Sequence, residues 1–61
     1  MDKTYLKVYA IAKIKEHPQL KEQISEFYYL ALNEIEDGGS EANEVALAIS
    51  SIDALIEEGA L

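Results

Sequence analysis

The sequence contains few side chains that could bind a metal ion. It has one histidine, His17, and no cysteine. Transition metals favour imidazole and thiolate ligands, so His17 would have to recruit carboxylates such as Glu16, or a second chain, to complete a site. A histidine directly before Pro18 is more typical of a turn. We therefore predict that the chain binds no metal ion.

The serines do not form a recognisable catalytic pattern. They are Ser25, Ser40, Ser50 and Ser51. Activation of a hydroxyl requires a base within hydrogen-bond reach and a third group that orients the base. The spacing supplies neither group, and Ser40 is better placed to cap a helix. We predict that the chain is not an enzyme, has no catalytic residue and needs no cofactor.

The segment from Asp37 to Glu41 reads Asp-Gly-Gly-Ser-Glu and has the composition of an ion-binding loop. A calcium loop of the EF-hand type needs oxygen ligands at alternate positions around a glycine and a terminal glutamate, and this segment does not supply them. A phosphate held at a helix N-terminus would meet the neighbouring carboxylates. We predict a turn between two helices instead.

Five acidic residues surround this turn and are the most distinctive chemical feature of the sequence. They are Glu34, Glu36, Asp37, Glu41 and Glu44. An antiparallel helical hairpin would bring them together at one end, which we call the acidic tip. The first three would end a helix, where the helix dipole disfavours a negative charge by about 0.3 to 1 kcal/mol each. The tip is therefore a candidate site for a protein with a basic surface, and the alternative is a solvated acidic end.

Large side chains offer a second candidate contact surface. Phe27, Tyr28, Tyr29 and Leu30 are consecutive, so they cannot all face one core. Tyr29 and Leu30 lie outside the apolar stripe of their helix and are candidate partner contacts, unless the first segment covers one of them. Tyr5 and Tyr9 would lie one turn apart on a helix and are candidates for self-association.

Two breaks, at His17-Pro18 and at residues 37–40, divide the chain into three segments. Apolar residues recur with helical spacing in the second and third segments, which predicts helices at about 18–36 and 41–58. The stripe of the first of these helices contains Leu20, Ile24, Phe27, Tyr28, Ala31, Leu32 and Ile35. The stripe of the second contains Ala42, Val45, Ala48, Ile49, Ile52, Leu55 and Ile56. The short connection predicts antiparallel neighbours.

The first segment, residues 3–16, is ambiguous because its apolar residues spread around a helical wheel. Alternation with period two also fits, from Tyr5 to Lys15. A single strand would need a second copy as its partner. Helix is favoured, since lysine and alanine are good helix formers and a chain without a sheet most simply makes a three-helix bundle.

The strand alternative resembles the layout of the ribbon-helix-helix repressors. It would place Lys13 and Lys15 on a strand paired within a dimer, and Gly39-Ser40 would open the last helix. The resemblance implies a DNA-binding transcriptional regulator. The segment from Pro18 to Gly39 is longer than the first helix of that family usually is, and Glu41 and Glu44 are unfavourable neighbours for a DNA backbone.

Charge is distributed unevenly along the 61 residues. All five basic residues are lysines within residues 1–21, which carry a net charge of +3, whereas residues 22–61 carry −10. The acidic part has no cation to offer a phosphate, which argues against nucleic acid as the partner. No apolar run approaches the roughly 18 residues of a membrane span, and Met1 is followed by Asp2 and Lys3 rather than by an apolar core.

These observations together predict one small all-α domain over residues 1–61, a three-helix bundle built on an antiparallel hairpin. A chain this short buries only about 60% of the surface of its unfolded form, so self-association, most simply a homodimer, is expected. The absence of cysteine favours a cytoplasmic protein. The predicted function is that of an acidic protein-binding module, such as a regulator, an inhibitor or an accessory subunit. The alternative is the dimeric DNA-binding regulator.

Overall fold

Three α-helices make up most of the chain in the computed structural model, which describes residues 1–59. They are α1 (Lys3–Glu16), α2 (Lys21–Glu36) and α3 (Glu41–Gly59), and a single 3₁₀ turn (Pro18–Leu20) precedes α2. Residues 1–59 contain no strand. The predicted all-α fold is confirmed, and each helix packs against the other two in a bundle of 35 × 18 × 17 Å.

The first segment is a helix, so the strand alternative was wrong. The side chain of Asp2 caps α1 by accepting a hydrogen bond of 2.9 Å from the backbone N–H of Tyr5. Leu6 and Ala10 face the core, one turn apart. The alternation that suggested a strand arises because α1 also carries apolar residues, Val8 and Ile11, on its outer face. Without the strand, the layout of a ribbon-helix-helix repressor is absent from residues 1–59.

The α2–α3 connection forms as the glycines predicted. Gly38 has a φ of +103°, a conformation that disfavours any residue with a Cβ. The N–H of Gly38 bonds the Ile35 carbonyl, and the N–H of Gly39 bonds the Glu34 carbonyl at 2.8 Å, which is the Schellman pattern. Ser40 caps α3, since its hydroxyl oxygen accepts a hydrogen bond of 3.4 Å from the backbone N–H of Asn43. The two helices therefore return antiparallel.

The core lies between the three helices and consists of apolar side chains from each. The buried set is Leu6, Ala10, Ile24, Ala31, Val45, Ala48 and Ile52. Full burial of a large aliphatic side chain contributes about 1.5 to 3 kcal/mol. All seven residues of the predicted α2 stripe are buried or half-buried. The α3 stripe is also confirmed except for Ala42, which is exposed in the first turn, at the end of the bundle.

Candidate protein-binding groove

An open groove runs between α2 and α3. It has a volume of about 240 Å³. It is lined by Phe27, Leu30, Ala31 and Glu34 of α2 and by Glu44, Leu47, Ala48 and Ser51 of α3. We call it the α2–α3 groove. Because α1 packs against the opposite side of the helix pair, the groove faces away from α1.

Helical spacing places these side chains along the groove. Residues three or four apart lie on one face of a helix, which aligns Phe27, Leu30 and Glu34 on α2. The same spacing aligns Glu44, Leu47 and Ser51 on α3. Leu30 and Leu47 remain 52% and 61% exposed. The groove therefore presents apolar surface that nothing within residues 1–59 covers.

Carboxylates mark one end of this apolar surface. Glu34 lies near the end of α2 and Glu44 near the start of α3, so both are close to the connecting turn. All five lysines belong to residues 3–21. The groove-lining parts of α2 and α3 therefore combine apolar and acidic side chains without a cation.

The acidic tip forms, but its five carboxylates differ in their surroundings. Glu36 and Asp37 are exposed, and Lys3 lines a surface recess beside Glu36. Glu41 is half-buried, and its carboxylate accepts a hydrogen bond of 2.8 Å from the backbone N–H of Lys3. That bond places a negative charge at the N-terminus of α1, where the helix dipole favours it. The Glu41 carboxylate thus makes a hydrogen bond within the chain, whereas Glu34 and Glu44 line the groove.

The structure separates Tyr29 from Leu30, although the two are adjacent in sequence. Leu30 lines the α2–α3 groove, whereas Tyr29 lines another recess, between α1 and α2, together with Lys7 and Ile11. The two residues, which we predicted as one contact patch, therefore belong to two separate surfaces. Sequence analysis did not assign Leu47 to the site, and its position off the α3 stripe was the signal that could have identified it.

Tyr9 links α1 to α3 through a side-chain hydrogen bond. Its hydroxyl donates a hydrogen bond to the carboxylate of Asp53. That bond, together with partial burial, raises the pKa of Tyr9 from 10.0 to about 12, because a phenolate beside a carboxylate is disfavoured. The ring stacks on Tyr5 at 6.3 Å between centroids, and the ammonium of Lys13 lies 5.3 Å from its centroid. Tyr9 is thus used inside the chain, whereas Tyr5 is 49% exposed.

Residues 1–59 show neither a cluster of metal ligands nor a membrane-spanning helix. No three histidine, cysteine or acidic side chains of residues 1–59 are grouped so that they could hold a metal ion. None of the helices in that range has both the length and the apolar character needed to cross a membrane. No protein-family model, curated protein or solved structure matches the chain. The α2–α3 groove must therefore be interpreted from its own chemistry.

Proposed function

We propose that the chain is a small acidic protein-binding module, and that its α2–α3 groove accepts a basic amphipathic helix of a partner protein. By occupying that surface it would act as a regulator, an inhibitor or an accessory subunit, and the absence of cysteine favours a cytoplasmic setting. The observation that carries the proposal is the exposed pair Leu30 and Leu47, in a groove whose charged lining residues are Glu34 and Glu44.

The chemistry of the groove suits such a helix. An amphipathic helix binds by laying its apolar side chains into a groove, and Leu30 and Leu47 would each lose their remaining exposed surface. Covering about half of a leucine contributes about 1 kcal/mol. Lysine or arginine side chains beside the apolar stripe would meet Glu34 and Glu44. This charge complementarity would mainly raise the association rate and the selectivity.

A designed peptide tests the proposal directly. We would label a peptide of about 16 residues made of leucine and lysine, with leucines at helical spacing, and measure its binding by fluorescence anisotropy. A peptide of the same composition, with its leucines scattered around the helix, is the control. We expect the amphipathic peptide to bind at least about tenfold more tightly than the scattered one.

Variants locate the binding surface. Leu30→Gln with Leu47→Gln should weaken binding of the amphipathic peptide at least about tenfold. Tyr29→Gln, on the other recess, is the matched control and should leave binding unchanged. Equal binding by the Leu30/Leu47 variant, with its helical circular dichroism intact, would refute the assignment of the groove.

Charge variants test the acidic end. Glu34→Gln with Glu44→Gln should slow association and flatten its dependence on salt, because two carboxylates of the groove are removed. Glu36→Gln with Glu57→Gln removes the same charge from exposed positions outside the groove and is the control. If both pairs change the salt dependence equally, net charge alone explains the effect and the groove carboxylates have no special role.

A further inference from the structure

The outer face of α1 is a second exposed apolar surface. Val8 is 63% exposed, on the side of α1 opposite the buried residues Leu6 and Ala10. Ile11 is 47% exposed and lies beside it, toward the recess between α1 and α2. The exposed Lys7 lies at the edge of this surface, and the exposed Lys15 lies at its end, one turn beyond Ile11. We call this surface the α1 face. It is an apolar surface flanked by lysines, on a helix of 14 residues, or about 21 Å.

The α1 face has the properties that the α2–α3 groove requires of its occupant. The groove offers apolar side chains with carboxylates at one end, and the α1 face offers apolar side chains with lysines at its edges. The net charges of the two parts are opposite, +3 for residues 1–21 and −10 for residues 22–61. One chain cannot bring the two surfaces together, because they lie on opposite sides of the α2–α3 pair.

We infer that the α2–α3 groove binds the α1 face of a second copy of this chain. The inference rests on the proposed function, since it names an occupant for the same groove. Val8 and Ile11 of one copy contact Leu30 and Leu47 of the next, and a lysine of the α1 face lies near Glu34 and Glu44. A partner helix and a second copy then compete for one site, so self-association limits access to the groove.

Such a contact joins two different surfaces and is therefore heterologous. A pair retains one unused α1 face on one copy and one unused groove on the other, so assembly continues until a ring closes, or extends as an open chain. This differs from a two-fold dimer, in which both copies use the same surface. The average mass should therefore rise with concentration and fall with added salt, which screens the opposite charges.

Complementary variants give the decisive experiment. The face variant, Val8→Gln with Ile11→Gln, retains an intact groove, and the groove variant, Leu30→Gln with Leu47→Gln, retains an intact α1 face. Measured by sedimentation, the wild-type chain should at least double its average mass below about 1 mM. Each variant alone should remain monomeric, and their mixture should form a one-to-one complex that does not grow further.

Controls separate the outcomes. Glu57→Gln, at an exposed position outside the groove and the α1 face, should associate as the wild type does. If the double face variant does not fold, Val8→Gln alone replaces it, because Val8 is the more exposed of the two positions. A wild-type chain that stays monomeric over this range would overturn the inference. So would a groove variant that still self-associates, because the contact would then join two α1 faces.

The peptide experiment keeps this inference distinct from the proposed function. If the amphipathic peptide binds in the groove but the chain does not self-associate, the proposed function stands and the inference fails. If the chain associates through the groove but the peptide does not bind, the inference stands and the more general function fails. When both hold, the peptide should dissociate the wild-type assembly to complexes of one chain and one peptide.

Discussion

At the scale of single residues, the bond from Tyr9 to Asp53 joins positions 44 residues apart and holds α1 on α3. The Lys3 N–H and the Glu41 carboxylate form a similar link 38 residues apart. Neither link follows from local spacing, because each depends on how α1 docks. Sequence analysis identified Tyr9 and Glu41 as candidate contacts for other molecules, whereas the structure shows both bonded within the chain.

Tyr9 should make stability depend on alkaline pH. Its folded pKa, about 12, lies above the ordinary value of 10.0, so its stabilising effect is full below about pH 10 and lost as the pH rises toward about 12. In urea unfolding measured across that pH range, Tyr9→Phe should remove the part of the decrease in the free energy of unfolding that comes from the bond to Asp53. Tyr5→Phe leaves that bond intact and should show the same decrease as the wild type. Identical pH profiles for all three proteins would show that the bond contributes nothing.

At the scale of elements, the hairpin could be predicted from local apolar patterns, whereas the helix α1 was correctly favoured only on residue preferences and on the absence of a partner strand. The apolar stripes of α2 and α3 and the glycine turn are local patterns, and only Ala42 departed from them. In α1, Val8 and Ile11 face outward while Leu6 and Ala10 face inward, so the apolar pattern marks two faces. The apolar pattern alone therefore did not distinguish helix from strand there, and it did not show which face of α1 the other helices cover. Leu47 was missed for the same reason.

The α2–α3 turn should tolerate no Cβ at its two glycines. Gly38→Ala must adopt a positive φ, at a cost of about 1 to 2 kcal/mol. At Gly39 a Cβ would lie 2.8 Å from the carbonyl oxygen of Glu34, so Gly39→Ala must shift the turn. Both variants should lower the melting temperature. Gly59→Ala is the control, because among the described residues its Cβ would meet only Leu20, at 4.0 Å, and alanine favours a helix. Equal melting temperatures for all three variants would contradict this account of the turn.

At the scale of the whole molecule, residues 1–59 combine a small core with two apolar surfaces of opposite charge that they leave uncovered. Within this range only Leu6, Ile24, Val45 and Ile52 are large and fully buried. Since a core of this size provides little stability, any contact that covers the α1 face or the α2–α3 groove adds a considerable fraction of the total.

Thermal stability should accordingly depend on concentration. Association of folded chains lowers their free energy by mass action, so the wild-type melting temperature should rise by several degrees per tenfold increase in concentration above the dissociation constant. Added salt should reduce this rise. The groove variant, Leu30→Gln with Leu47→Gln, should melt at one temperature whatever its concentration. A wild-type melting temperature that is equally constant would count against assembly of the folded chain.

The position of α1, on one side of the α2–α3 pair only, has a consequence for how the fold can be completed. In a four-helix bundle each side of such a pair carries a helix. The chain thus supplies three of the four positions and leaves the fourth vacant at Leu30 and Leu47. Polar residues at these two positions would make the three-helix form self-sufficient. The leucines instead leave apolar surface exposed where a fourth helix would pack, and under our proposal that helix comes from another molecule.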